Sequence, residues 1–216
     1  MQFRPAARGN RTSSEGKSDR PKGRVNPFGT VDADGVYYIQ IPSGKQLTVS
    51  KSRLHCTLLI ELIGTGGFDT IQSCLWDPFV GHNYPCAIVK GTGSGSFQLK
   101  SSNATLKESQ QPKFNFNPPG DPYDGITNTA QNDSYLPKMR GLFHVIGANV
   151  HTILASNLTI EGVFITEGTT TLGANLTVTV DPNIAANPPV GYTAGGRAPG
   201  PDLTVIPGSW LWAPAP

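Results

Sequence analysis

The residues able to carry acid–base, nucleophilic or metal chemistry are few and scattered. Four carboxylates, Glu61, Glu161, Glu167 and Asp181, fall in the strand-rich part of the chain. Glycan cleavage needs two carboxylates facing one another across the scissile bond, one as acid and one as base or nucleophile. These four sit mostly at turns, so no catalytic pair is expected. Asp121, Asp124 and Asp133 lie in or near one loop and have the oxygen chemistry of a Ca²⁺ site. No acidic Gly-Asp repeat accompanies them, and Asp forms turns by bonding its own backbone, so turn formation is the expected role. His55, His82, His144 and His151 are dispersed, and the spacing of His144 and His151, on neighbouring expected strands, gives no reason to assume a shared metal. Cys56, Cys74 and Cys86 are widely spaced, unlike the ligands of a structural zinc site, which come roughly two to four residues apart. They are expected as free buried thiols, with one bridged pair between neighbouring strands as the second reading. Gly91-Thr92-Gly93-Ser94-Gly95 has no helix behind it to cradle a phosphate, and no Gly-x-Ser-x-Gly elbow occurs. The sequence therefore assigns no catalytic, cofactor-binding or metal-binding residue and points away from an enzyme.

The elements that would position any site are more legible. Between Gly141 and Val180 one phrase recurs: a Gly or Asn turn, a short burst of alternating β-branched and apolar residues, then another turn. Asn157-Leu158-Thr159-Ile160 returns as Asn175-Leu176-Thr177-Val178. A second pair of segments begins at Gly141 and at Gly162, each with an apolar strand behind the glycine. Offsets of this size, roughly 18 to 21 residues, suit a solenoid, in which each coil buries its apolar face only when the next coil stacks on it. The same pattern explains the sequons at Asn157 and Asn175, since the turn favours Asn and the strand favours Thr; three more occur at Asn10, Asn103 and Asn132.

Further strands are expected at Val36–Ile41, at Leu47–Val49, as one long strand over Leu54–Ile63, near Thr70–Leu75, at Cys86–Lys90 and at Gly95–Leu99. Trp76 to Pro85 is expected as an irregular loop, and Ala104 to Gln111 is the best, though short, helix candidate. Residues 101–137 carry Pro118, Pro119 and Pro122, which cannot donate ladder hydrogen bonds, so this segment is expected to leave the stack and return. The fold class is thus all-β: a short single-domain parallel β-helix over residues 33–182, interrupted at about 101–137. A Pro- and Gly-rich tail, 183–216, is expected to cap the last coil with Trp210 and Trp212.

Composition agrees. With 25 Gly and 19 Pro in 216 residues and only 15% charged residues, the chain suits short strands and many turns. The net charge of +2 is uneven, because residues 1–24 hold seven basic and two acidic side chains. Residues 1–32 are expected as a disordered basic arm, the one part that could hold nucleic acid or an anionic surface. No apolar run is long enough to cross a bilayer, and the front of the chain lacks the apolar centre of a secretion signal.

Gly35-Val36-Tyr37-Tyr38-Ile39, Ser52-Arg53-Leu54-His55-Cys56-Thr57-Leu58-Leu59, Trp76-Asp77-Pro78 with Asn83-Tyr84-Pro85, Phe114 to Gly125, Arg140 to Val145, Asn187 to Tyr192 and Pro207-Gly208-Ser209-Trp210 occur in succession. Together, over roughly residues 35–212, they resemble a family of planctomycete-type bacterial proteins. The resemblance implies pilin-like or envelope-associated proteins with a parallel β-helical domain, protein partners or self-assembly, and no assigned activity. It also implies an apolar anchor helix at the front, where this sequence has its Arg-rich arm. The expected function is a non-catalytic structural or adhesive module at the cell envelope or a pilus. The alternatives are a nucleic-acid-packaging coat protein with a basic arm and, third, a carbohydrate-active enzyme. Strand direction separates the first two, since a jelly-roll coat is antiparallel.

Overall fold

The computed structural model describes residues 34–78, 83–101, 105–110, 114–120, 122–123 and 125–192. The expected basic arm, the Trp210/Trp212 cap, His82, Asp121, Asp124, Asn10 and Asn103 lie outside the described residues.

The fold is all-β, with two sheets of parallel strands that the chain visits in turn. The larger contains β1 (Val36–Ile41), β4 (Thr57–Leu62), β7 (Ala87–Gly91), β11 (Lys138–Ile146), β13 (Thr159–Thr166) and β15 (Thr177–Thr179), paired in that order. Two short strands, β3 (Arg53–His55) and β6 (Leu75–Asp77), extend it beside the front half of β11. The second sheet runs β2 (Gln46–Ser50), β5 (Gly67–Ile71), β8 (Ser96–Leu99), β12 (His151–Leu154), β14 (Thr170–Leu172). Every pairing within these two sheets is parallel. The repeats of the sequence are the rungs: Gly141 pairs with Gly162, and Thr159 with Thr177.

Parallel register makes side chains pile up in columns. Ile39, Ile60, Val89 and Val145 form one, Val49, Thr70, Leu99, Leu154 and Leu172 another. Rings thread the core between the sheets: Phe68 stacks on Phe97 at 5.5 Å between centroids, and Trp76 meets Phe143 edge-on at 5.2 Å. Phe68, Trp76, Phe97 and Phe143 are fully buried. Burying an aromatic residue of this size stabilises by several kcal/mol, so these four rings are a large component of the core.

The turns follow from conformation. Asn157 and Asn175 adopt φ 60° and 58°, a left-handed geometry that Asn tolerates better than most residues. The Asn175 Nδ2 donates to Asn157 Oδ1 at 3.2 Å, so the two turns are stapled to each other.

Three local expectations are corrected. The strand expected over Leu54–Ile63 breaks at Cys56 into β3 and β4, which pair with different neighbours. Trp76 and Asp77 belong to strand β6 and not to a loop, because the indole is needed in the core. The helix expected over Ala104–Gln111 is absent from its described part: Leu106–Lys107 is strand β9, antiparallel to β10 (Ser134–Tyr135), and Glu108 and Ser109 form a turn. Leu106 turns inward onto Leu75 and Phe116, a second small core with Tyr123 and Tyr135, and this tertiary contact overrides a weak local preference. The described helix is instead α1 (Pro182–Ala186), capped by Asp181, whose Oδ1 accepts from Asn183 N at 2.9 Å. No helix among the described residues is long and apolar enough to cross a membrane.

Candidate functional site

The excursion between β8 and β11 folds back over the outer face of β3, β6 and β11, and several charges of the molecule concentrate beneath it. Alternation along the strands sets this up. Leu54 packs on the main core, so Arg53 and His55 on either side of it point outward; Trp76 points inward, so Leu75 and Asp77 point out. Register then places His55 opposite Asp77.

Arg53 grips Asp77 with a fork, Nε to Oδ1 at 3.2 Å and Nη2 to Oδ2 at 3.0 Å, while His55 Nδ1 lies 2.5 Å from Oδ2. The third guanidinium nitrogen, Nη1, donates to the carbonyl of Phe116 in the excursion at 2.8 Å. Two guanidinium groups lie over the Tyr123 ring, Arg53 Cζ 5.5 Å and Arg140 Cζ 4.7 Å from its centroid. The Arg53, His55 and Asp77 side chains are only 7%, 8% and 11% exposed, so the centre is dry. Burial alone would raise the Asp77 carboxyl, but the hydrogen bonds from His55 and Arg53 and their charges outweigh it and hold the group below its ordinary value.

A histidine held by a carboxylate is the base half of a general-base device, and it needs a nucleophile within reach. The thiols that feel the Asp77 charge are Cys56 and Cys86. Burial, with the Asp77 charge second, pushes Cys56 up to about 12 and Cys86 well above its usual value. Cys86 Sγ instead donates to the Arg140 carbonyl at 2.7 Å, and Cys74 is likewise raised by burial. All three cysteines are free and protonated near neutrality, so they are core residues and not thiolate nucleophiles. What the centre does is tie β3, β6 and the excursion together.

Among the described residues, the carboxylates singled out from sequence are not brought together. Glu61 accepts from Tyr38 and from Gln40 Nε2 at 2.8 Å, which holds it below the usual carboxylate range. Glu161 is held low chiefly by Lys138, at 2.6 Å, and by Arg140, at 3.2 Å. Glu167 accepts from Gly147 N at 3.0 Å, and Asp181 caps α1. Asp133 accepts from Asn128 at 2.9 Å, inside a network in which Glu108, 1% exposed, accepts the backbone amides of Phe116 and Asp133. His144 Nδ1 is 2.7 Å from the Tyr192 hydroxyl, on the outer face of the larger sheet, and His151 Nε2 is 2.9 Å from Thr171 Oγ1 on the other sheet. Among the described residues no group of three or more His, Cys, Asp or Glu is arranged to hold a metal ion.

Sequence reasoning missed Arg53, Asp77 and Tyr123, although Arg-Leu-His followed by Trp-Asp carries the signal: polar residues on a strand around an inward apolar one. Beside this centre lies a cleft of about 320 Å³ whose lining includes Lys51, Leu106, Lys107, Phe114 and Phe116. Lys51 there has φ 48°, a left-handed turn geometry uncommon for lysine. No protein family, curated protein or solved structure matches this chain.

Proposed function

We propose that the protein is a non-catalytic structural or adhesive module built as a short, closed parallel β-helix. The observation that supports this is how nearly its charged centre is closed to solvent. The Arg53 fork, the Asp77 carboxylate and the His55 ring are turned on one another and on the excursion's backbone, nearly closed to water, beside thiols that burial keeps protonated. Groups arranged this way order a fold; groups arranged for chemistry leave one functional atom facing a substrate. The chain alternates between two parallel sheets, and its steps from rung to rung are nearly equal where no insertion intervenes, which supports the helical closure.

The cleft beside the excursion is the contact point we favour, its two lysines and aromatic lining suiting an acidic partner segment with some apolar character. Placement at the cell envelope, and the pilus-like setting, rest on the resemblance described above. Parallel pairing throughout both sheets disfavours the coat-protein alternative, whose jelly roll is antiparallel.

Turnover tests the central reading. The full chain, offered a panel of polysaccharides and acyl esters, is expected to release no product. Hydrolysis that disappears in a folded His55→Ala variant would overturn it.

A further inference from the structure

The far end of the stack is open among the described residues. In β14 and β15 the side chains that continue the inward columns have no described rung above them. Leu172 pairs with buried Leu154 and is 64% exposed, and Val178 pairs with buried Ile160 and is 50% exposed. Val180, beyond the strand's end, is 64% exposed. The outer edge of β15 is also unpaired among the described residues. Thr177 N donates to the Leu158 carbonyl on the β13 side at 2.9 Å, so the next amide along the strand, that of Val178, faces the open edge. Apolar columns that end, among the described residues, beside an unpaired ladder edge are a template for one more strand.

The sequence contains a matching phrase. The one that builds the last two rungs of the larger sheet, Asn157-Leu158-Thr159-Ile160 and Asn175-Leu176-Thr177-Val178, occurs a third time as Asp202-Leu203-Thr204-Val205. We propose that residues 202–206 of the same chain dock on β15 as a further parallel rung, with Leu203 over Leu176, Thr204 over Thr177 and Val205 over Val178. The step from Asn175 to Asp202 is longer than that from Asn157 to Asn175 and shorter than that from Leu58 to Ala87, both of which join successive rungs. Asp, like Asn, tolerates the left-handed turn that Asn175 adopts at φ 58°. The chain is within reach: Tyr192 bonds His144 on β11, two rungs or about 10 Å below β15. The segment 193–201, fully extended, can span about 30 Å. The inference uses only the parallel register and stands apart from the non-catalytic reading.

Two cysteine pairs in the full chain test it. Val178→Cys with Val205→Cys is in register, and Val178→Cys with Leu203→Cys is out of register on the same face. Under mild oxidation the first pair is expected to form an intrachain disulfide at least ten times faster than the second, read by non-reducing electrophoresis and peptide mass. Equal rates, or a link found only between chains, would overturn the proposal. Amide exchange gives a second readout should the paired variants fail to fold. The Val178 amide is expected to be protected in the full chain and to lose at least tenfold protection in Val205→Asp, whereas an unprotected Val178 in the unmodified chain would also overturn it.

Discussion

Replacing Asp77 by Asn is the sharpest perturbation of the charged centre, because it keeps the shape and removes the charge. Three charge-assisted contacts converge on this carboxylate, two from Arg53 and one from His55. Each such bond stabilises by about 1.5–3 kcal/mol, but burying the charges opposes them, so their sum is not the measured loss. The larger effect is what remains: an Arg53 guanidinium only 7% exposed that has lost the Asp77 charge. Removing one partner of a buried pair costs about 3–5 kcal/mol, a large part of the roughly 5–15 kcal/mol that holds a domain together. With a urea slope of about 2 kcal/mol per molar, the unfolding midpoint followed by circular dichroism falls by about 2 M. Arg53→Met with Asp77→Leu removes both charges and is expected to be less destabilised than Asp77→Asn alone. The sign with pH is fixed by the depressed carboxyl. Its stabilisation is complete above the unfolded value of about 3.9 and is lost as pH falls through the lower folded value, so the unmodified chain weakens below about pH 4 and Asp77→Asn lacks that part of the slope. A loss under about 1 kcal/mol, or strictly additive single substitutions, would refute the reasoning.

Three further outcomes follow from geometry. At Gly162 a Cβ would lie 2.0 Å from the Gly141 carbonyl oxygen, so Gly162→Ala is expected to yield no folded protein on size exclusion, whereas Gly120→Ala, with φ 85° and open space around it, loses only about 1–2 kcal/mol in urea. Asn175→Ala forces an ordinary residue into φ 58° and is expected to cost about 1–2 kcal/mol by urea titration, with Asn175→Gly close to neutral. Cys56, Cys74 and Cys86 are expected to resist a thiol reagent at about pH 8 in the folded protein and to react fully in denaturant, and fast labelling of the folded chain would contradict their burial.

The legible part of the fold was the part where successive rungs have nearly equal length. Gly141 over Gly162 and Asn157 over Asn175 appear in the sequence at the offsets they have in space, because nothing is inserted between them. Earlier rungs were hidden by insertions. The step from Leu58 to its partner Ala87 is lengthened by β6 and the residues that follow it, and the step from Ala87 to its partner Phe143 contains the whole excursion. The break at Cys56 was illegible for another reason: the inward residues Leu54, Cys56, Leu58, Ile60 and Leu62 alternate without interruption through β3 and β4, and only the strands' different partners, β6 against β1 and β7, separate them. The site was legible by type and not by pairing. His55 was visible as a candidate, but Asp77 stood in an expected loop, and the closeness of the two depends on a register that a single sequence does not state.

That register explains why a protein of so few charges places several of them in one dry spot. The β3–β6 pair is only three residues long on each strand, too short for its ladder alone to fix the alignment. A slip by a single position would turn Arg53 and His55 into the core and Leu54 out to the excursion. In the observed alignment the Asp77 carboxylate meets both basic side chains, and Arg53 reaches the Phe116 carbonyl at 2.8 Å. In the slipped one, buried charges would face Trp76 and Phe143 without partners, at a cost of several kcal/mol each. The centre thus discriminates between alignments more than it adds to total stability. It does so where the stack is interrupted by its longest insertion, which is where hydrophobic columns alone leave the alignment least determined.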